Sequence, residues 1–385
     1  MRPVAVLGIG QTRVEEQWDK SLRELAGDAV LAALLDSGLD RAESLFVGCM
    51  MSGSANRQQH LGSYIGDWVG LRFSEGLHVE AACSSGAVAF RTALMAVASG
   101  EVDTAIAVGV EKMTDSPGPE ITAELATAAD SEYERDMGVS FVALNALIMR
   151  RYMHEYGWIK DDFAPFSINA HANGVHNPNA RFREPISVKA YQEASMIADP
   201  INLMDAAPMG DGAAAAVLVP LDALRHSQNM PIIQVVGSAA ATDTSSVAAR
   251  RRPLRLSAAE SSARHAYQQA GIGPMDIDLF EAHDAFTIMA SLSLEACGFA
   301  EPGQGVRLAL DGEITPTGKI PIATRGGLKA RGHPVGATGM YQIVEVVEQL
   351  RWQADGSQVD GARIGMAQNI GGSGSNIITH ILKRS

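Results

Sequence analysis

The second half of this chain repeats the first, and that repetition constrains the fold more than any single motif. Ala32-Ala33-Leu34-Leu35-Asp36-Ser37-Gly38-Leu39 followed by Leu45-Phe46-Val47-Gly48 resembles Ala266-Tyr267-Gln268-Gln269-Ala270-Gly271-Ile272 followed by Leu279-Phe280-Glu281-Ala282, with the register offset by one residue. The turn at Cys83 then aligns with Gly332-His333-Pro334, and Ala107-Val108-Gly109-Val110 with Ile364-Gly365-Met366-Ala367. A helix, strand and turn recurring in one order predict a duplicated α/β unit. Duplication also brings two equivalent helix N-termini toward a shared centre, one presenting Cys83 and the other His333.

Strand-like and helix-like runs alternate from the start: Val4–Ile9, Leu22–Ser37, Leu45–Met51, Leu61–Val69, His78–Ala82, a helix after Cys83, and Thr104–Val110. This is an α/β rhythm. Between about Thr114 and Ile201 it gives way to a polar, aromatic-bearing region, and strand character resumes at Gly212–Val219. The expected division is 1–113 for the first part of the N-terminal half and 114–201 for an inserted loop domain. Residues 202–235 would close the first half, and 236–385 would form the second.

With 385 residues the chain can build two core-bearing units. Its 44 acidic and 31 basic residues give a net charge of −13, which disfavours nucleic acid or an anionic membrane as partner. No long apolar signal core opens the sequence and no run reaches roughly 18 uninterrupted apolar residues, so a cytoplasmic location is expected. The three cysteines (Cys49, Cys83 and Cys297) are widely separated and odd in number. They form neither a disulfide framework nor a metal-binding spacing, and no metal is expected.

Cys83 lies where Leu77-His78-Val79-Glu80-Ala81-Ala82 gives way to Ser84-Ser85-Gly86 and a helix to about Ser99. A strand ending at Cys83 and a helix beginning at Ser84 would set the sulfur beside free N–H groups at the positive helix end, favouring thiolate. The small residues around it leave room for a bulky substrate. His283 follows the strand-like Ile277–Ala282, at the C-terminal strand end where α/β sheets gather ligands. His333 sits in a turn of small residues before Gly336-Ala337-Thr338-Gly339. Together they offer a nucleophile, a base and an oxyanion donor. The turn Asn369-Ile370-Gly371-Gly372-Ser373-Gly374-Ser375 is no phosphate loop, because neither a lysine nor a helix follows. It reads as a hairpin that could offer the Gly371 N–H to an acyl oxygen also held by the N–H of Cys83.

Five ordered segments carry a resemblance to a known family. They are Val79–Gly86, Gly109–Met113, Glu281–Phe286, Gly332–Gly339 and Asn369–Gly372. Over nearly its whole length the chain resembles the thiolases, most closely the branch of archaeal acetoacetyl-CoA thiolases and sterol-carrier-protein-type thiolases. The resemblance implies two βαβαβαββ halves in an α-β-α-β-α layering with an inserted loop domain. It implies acyl transfer between coenzyme A thioesters by a ping-pong route, with no cofactor beyond those substrates. Cys83 would carry the acyl group, His333 would take the thiol proton and then face the oxygen of the incoming thioester, and His283 occupies the position of a family asparagine that positions a water in that second oxyanion site.

The family's second cysteine, the acid/base for the α-carbon, is replaced by Asn369 here. The sterol-carrier branch supplies that thiol beside its first histidine, where this chain has Ala285. Arg250, Arg251 and Arg252 are the candidates for CoA phosphates, and Met153, with His154 and Tyr156, for the pantetheine tunnel. A homodimer or homotetramer is implied, and so is a possible assembly with a small OB-fold and zinc-ribbon protein and hydroxymethylglutaryl-CoA synthase. Two other readings remain open: a subunit channelling acyl groups or acylating a non-CoA nucleophile, and a ketoacyl-synthase-like condensing enzyme loaded from a carrier protein.

Overall fold

The chain opens with β1 (Val4–Gln11), α1 (Leu22–Ser37), β2 (Ser44–Gly48), α2 (Leu61–Trp68), β3 (Glu75–Val79), α3 (Ser85–Ser99) and β4 (Ala105–Glu111). It then leaves the sheet for α4 (Gly118–Leu125), α5 (Phe141–Tyr156), α6 (Ala164–Gly174), α7 (Val188–Gln192) and a short ladder of β5 (Met196–Ala198) and β6 (Ile201–Asn202). It returns as β7 (Gly212–Pro220). The second half runs through β8 (Ile233–Thr242), α8 (Ser257–Ala270), β9 (Leu279–Glu281), α9 (Thr287–Ala296), α10 (Gly305–Leu310), α11 (Thr338–Leu350), β10 (Ile364–Gly371) and β11 (Asn376–Arg384). This computed structural model describes residues 2–224 and 230–385, so positions 225–229 of the expected segment 202–235 lie outside the described residues. Strand β8 begins at Ile233 and crosses position 236.

The strand order is β3-β2-β4-β7-β1-β8-β11-β10-β9. Read outward from the centre, β1-β7-β4-β2-β3 is mirrored by β8-β11-β10-β9, and the halves meet where Val4, Ala5 and Val6 pair with Val235, Gln234 and Ile233. The fifth strand of the second half shrinks to a single parallel bridge, Phe280 with Ile322. Its backbone is committed elsewhere: Pro321 has no N–H, and the N–H of Ile322 goes to Ile314 O at 3.0 Å.

Sequence periodicity dictates the layering. In β4, Ala105 and Ala107 face the middle helices while Ile106, Val108 and Val110 face α1; in β7, Ala214, Ala216 and Leu218 alternate with Ala213, Ala215 and Val217 in the same way. Both faces are therefore apolar, as strands covered on both sides require. The layers are α1 and α2, the first half of the sheet, α3 with α11, the second half, and α8 with α9. Helix α1 is delimited by a Ser21/Glu24 capping box and by Gly38 at φ 71°. The stretch Ala82–Ser99 is long and apolar enough to cross a membrane, yet here it forms the middle-layer helix packed against α11.

A fully buried arginine–glutamate pair spans this core. Arg331, which closes a π-type turn at Gly327–Arg331, places Nε 3.0 Å from Oε1 of Glu345 on α11, and both side chains are 0% exposed. The guanidinium lies over the Tyr341 ring at 4.9 Å. Burial pushes the Glu345 carboxyl up to about 8 against the pull of Arg331, so losing the arginine leaves a carboxyl that can take up a proton, whereas losing Glu345 strands the guanidinium in the core. Glu345→Leu is expected to cost about 3–5 kcal/mol, and the double change with Arg331→Leu much less. Denaturant unfolding of both variants measures it, and equal losses would contradict the pairing.

Candidate active site

Strand β3 ends at Val79, four residues earlier than expected, because the chain turns sharply before Cys83. Ala82 adopts φ 52°, a left-handed conformation that a residue with a Cβ holds only under constraint. The constraint is a local hydrogen-bond cluster. The Ser84 hydroxyl donates to Ala81 O at 2.6 Å, and the Ser85 hydroxyl donates to Ala82 O at 2.7 Å while accepting from Ala81 N at 2.9 Å. The result sets Cys83 at the mouth of α3, half-buried, while Cys49 and Cys297 are buried.

Glycine contacts then bring the second half to it. A Cβ on Gly86 would lie 2.8 Å from Gly336 O, and one on Gly339 2.5 Å from Ala87 N. The N-terminal turns of α3 and α11 thus touch backbone to backbone. His333, just before α11, donates its backbone N–H to Pro208 O at 2.9 Å, and its Nδ1 pairs with the Thr338 hydroxyl at 2.7 Å. His283 follows β9 and is buried. The Cys83 sulfur and one ring nitrogen of each histidine all lie within 4.8 Å of one another, and the rings meet edge to face at 5.2 Å. The structure brings together all three residues that the sequence nominates.

Their charge states differ from the sequence expectation. Burial first, then the nearby Glu111 carboxylate, push the Cys83 thiol up to about 12, against the pull of its own N–H and that of Gly372. The resting sulfur is therefore a thiol, not a thiolate: the helix terminus is outweighed by desolvation. Burial and then the Arg331 charge lower His333 to about 3. Burial, His333 and Arg331 hold His283 well below its usual range. All three groups rest neutral at pH 7.

Gly371 is the last residue of the β10–β11 ladder, opposite Asn376, and Gly372 follows it at φ 60°; the Gly372 N–H, with that of Cys83, pulls the thiol pKa down against burial. Asn369 is buried, with Nδ2 3.0 Å from Nδ1 of His283, and Ala285 contributes only its backbone oxygen, to Ala207 N. Arg250 is not open to a phosphate. Its buried guanidinium donates to Ser373 O and braces the glycine-rich turn, while Arg251 and Arg252 are exposed. Met153 packs on the core beneath the inserted region, and Tyr156 meets Tyr152 edge to face at 4.8 Å; His154 is exposed.

Sequence reasoning missed three supporting groups. Glu111 accepts from Met50 N and Met51 N at 3.0 Å and from Gly336 N at 2.9 Å, tying the exit of β2 to the start of α11. Gln342 and Glu345 are the others, and their signal was available: polar residues on the inward face of the apolar run Met340–Val347. A raised thiol pKa sets the pH response. The thiolate fraction of Cys83 grows with pH, so alkylation by iodoacetamide is expected to rise through pH 9 without levelling. Peptide mapping of labelled Cys83 measures this; a plateau near pH 7 would contradict the neutral resting site.

Family comparisons agree with this geometry. The family described as Thiolase, N-terminal domain matches residues 4–222, and Thiolase C-terminal domain-like matches residues 239–384. An acetyl-CoA acetyltransferase of Methanothermobacter thermautotrophicus is 45% identical over 386 residues, covering 100% of both chains. One of Methanocaldococcus jannaschii is 35% identical, covering 99% of each. A solved structure named Ltp2-ChsH2(DUF35) aldolase superposes with a TM-score of 0.84 at 24% identity, covering 99% of this chain and 98% of that one. The two histidines and the cysteine thus stand where two halves of one duplicated fold converge, and the chain belongs to the thiolase family.

Proposed function

We propose that this chain is an acetyl-CoA C-acetyltransferase that works by a ping-pong route through an acyl-Cys83 intermediate. The observation that carries the reading is the half-buried Cys83 thiol within 4.8 Å of a ring nitrogen of each of two neutral imidazoles. Full-length similarity to two archaeal acetyl-CoA acetyltransferases supports acetyl as the acyl group.

A thiol pushed to about 12 cannot be a standing nucleophile. Its proton must leave as the sulfur attacks; a His333 ring nitrogen is within 4.8 Å, but burial holds that imidazole at about 3, so the transfer has to be concerted with attack on the carbonyl rather than precede it. The N–H groups of Cys83 and Gly372, which pull the thiol pKa down, are the donors proposed for an acyl oxygen carried on that sulfur; one such donor is typically worth about 10²–10³-fold in rate. Their dipoles are fixed by the ladder and by α3 before substrate arrives. With Arg250 turned inward, phosphate contacts fall to exposed groups, Arg251 and Arg252 among them.

An oligomer is part of the same proposal. Strand β3 is an edge strand, and it exposes Leu77 at 45% where an unpaired edge would invite another strand. A second copy paired there would cover it, giving a homodimer and, by further pairing, a homotetramer. A small OB-fold and zinc-ribbon partner, with hydroxymethylglutaryl-CoA synthase beyond it, is the wider assembly we propose; exposed Tyr133 and Met137 offer it apolar surface. The channelling-subunit reading differs in one respect, namely that the purified chain alone would be inactive.

The test is cleavage of acetoacetyl-CoA by free CoA with the purified chain, alone and with its partners. Activity of the chain alone is expected, and Cys83→Ala should lower kcat by more than about 10³-fold. Retained activity in Cys83→Ala would remove the sulfur from the mechanism. Activity only in the assembly would favour the channelling subunit.

A further inference from the structure

A buried amide relay reaches His283 from the backbone of two strands, and it fixes which ring nitrogen carries the proton. Gln342 on α11 places Nε2 3.1 Å from Glu281 O and 3.1 Å from Gln368 O. Carbonyl oxygens only accept, so both amide hydrogens of Gln342 are spent and its orientation is settled. Its Oε1 must face the other way, where it accepts from Nδ2 of Asn369 at 2.9 Å. That sets Asn369 in turn. The second Nδ2 hydrogen points at Nδ1 of His283, 3.0 Å away. A nitrogen facing a donor must present its lone pair, so neutral His283 carries its proton on Nε2.

The relay leaves a buried loose end. Asn369 Oδ1 has no partner among the described residues, and it lies against Gly339, where a Cβ would come within 2.9 Å. An amide placed for stability alone would have its oxygen satisfied. Here the oxygen stays empty while both hydrogens are aimed. His333 contrasts with this. Its Nδ1 faces the hydroxyl of Thr338, which can rotate to donate or accept, so His333 can be neutral or protonated without breaking the contact.

We propose that Gln342 and Asn369 are positioning residues that lock His283 as a hydrogen-bond donor, leaving His333 as the single base of the site. The relay is read from the free protein; the consequence for the reaction rests on the acetyl transfer proposed above. In the first half-reaction the Cys83 proton passes to His333 as sulfur bonds to the acyl carbon, the bond from that carbon to the CoA sulfur breaks, and the departing CoA thiolate takes the proton. In the second, His333 takes a methyl proton from the next acetyl-CoA. The resulting carbanion bonds to the acyl carbon, the bond to Cys83 breaks, and the proton returns to that sulfur. His283 donates Nε2–H to the thioester oxygen of the second acetyl-CoA. It has no lone pair on the site side for a proton or an ion. One base serves twice, so neither Asn369 nor Ala285 needs to titrate.

Long-range proton–nitrogen NMR of histidine-labelled free protein, assigned with His283→Gln, reads the tautomer directly. The expected result is Nε2–H at His283 in the wild type, moving to Nδ1–H in Asn369→Asp, whose carboxylate accepts. Gln342→Met is a second route, since it frees the Asn369 amide to turn over; it should give a mixture. In acetoacetyl-CoA cleavage, Asn369→Asp should lower kcat about 10²–10³-fold with KM little changed, the pattern of a lost transition-state donor. An Nδ1–H signal in the wild type overturns the proposal, and so does a folded Asn369→Asp variant with wild-type kcat. Because the tautomer is read without substrate, Nε2–H in a chain with no acyl-transfer activity would leave the relay standing and remove the functional reading instead.

Discussion

The backbone-to-backbone contact in the middle layer, between the first turns of α3 and α11, is the contact on which the site depends. Glycine at 86 and 339 lets one helix start against the other, since a Cβ at either would meet backbone atoms across the contact at under 3 Å, and glycine at 336 leaves room for Glu111 and Met50. That approach sets Cys83 beside His333. Everything else in the site is arranged around it: Glu111 ties Gly336 to the exit of β2, and the Ser84/Ser85 cluster holds the strained Ala82 that aims the sulfur. A duplicated fold supplies two helix starts at one point, and glycine is what lets them close on each other.

The same burial that builds the site silences its charges. Desolvation raises the thiol and lowers both imidazoles, and the two buried ions behind them, Glu111 and Arg331, act in the same directions. The resting site is therefore neutral, with its proton on sulfur. Reactivity has to come with the substrate, whose carbonyl gives the developing negative charge a place between two preset N–H groups. Donors that are oriented beforehand cost no reorganisation at the moment of reaction, which is the advantage of building them from a helix start and a hairpin.

Much of this was legible in the sequence, for definite reasons. The duplication survives as matching apolar periodicity, so α1 with β2 could be paired with α8 and β9 and the Cys83 turn with the His333 turn. Two histidines and a cysteine at element ends announced themselves by position. What was not legible depends on which way a side chain turns. Three consecutive arginines look alike in a string, yet Arg250 faces inward to brace the Ser373 turn while Arg251 and Arg252 face solvent. The helix dipole at Cys83 could be read from local sequence, whereas the burial that outweighs it is tertiary. Asn369 read only as a missing cysteine; its use as a donor needs Gln342, which is 27 residues away in sequence.

The central claim is that these converging helix starts make Cys83, and no other cysteine, the acyl carrier. Peptide mapping by mass spectrometry after brief exposure to acetyl-CoA tests it most directly, since all three cysteines can be followed in one digest. The account predicts an acetyl group on Cys83, with Cys49 and Cys297 unmodified, and its discharge when free CoA is added. Acetyl on either buried cysteine, or no adduct on Cys83 at any acetyl-CoA concentration, would contradict it.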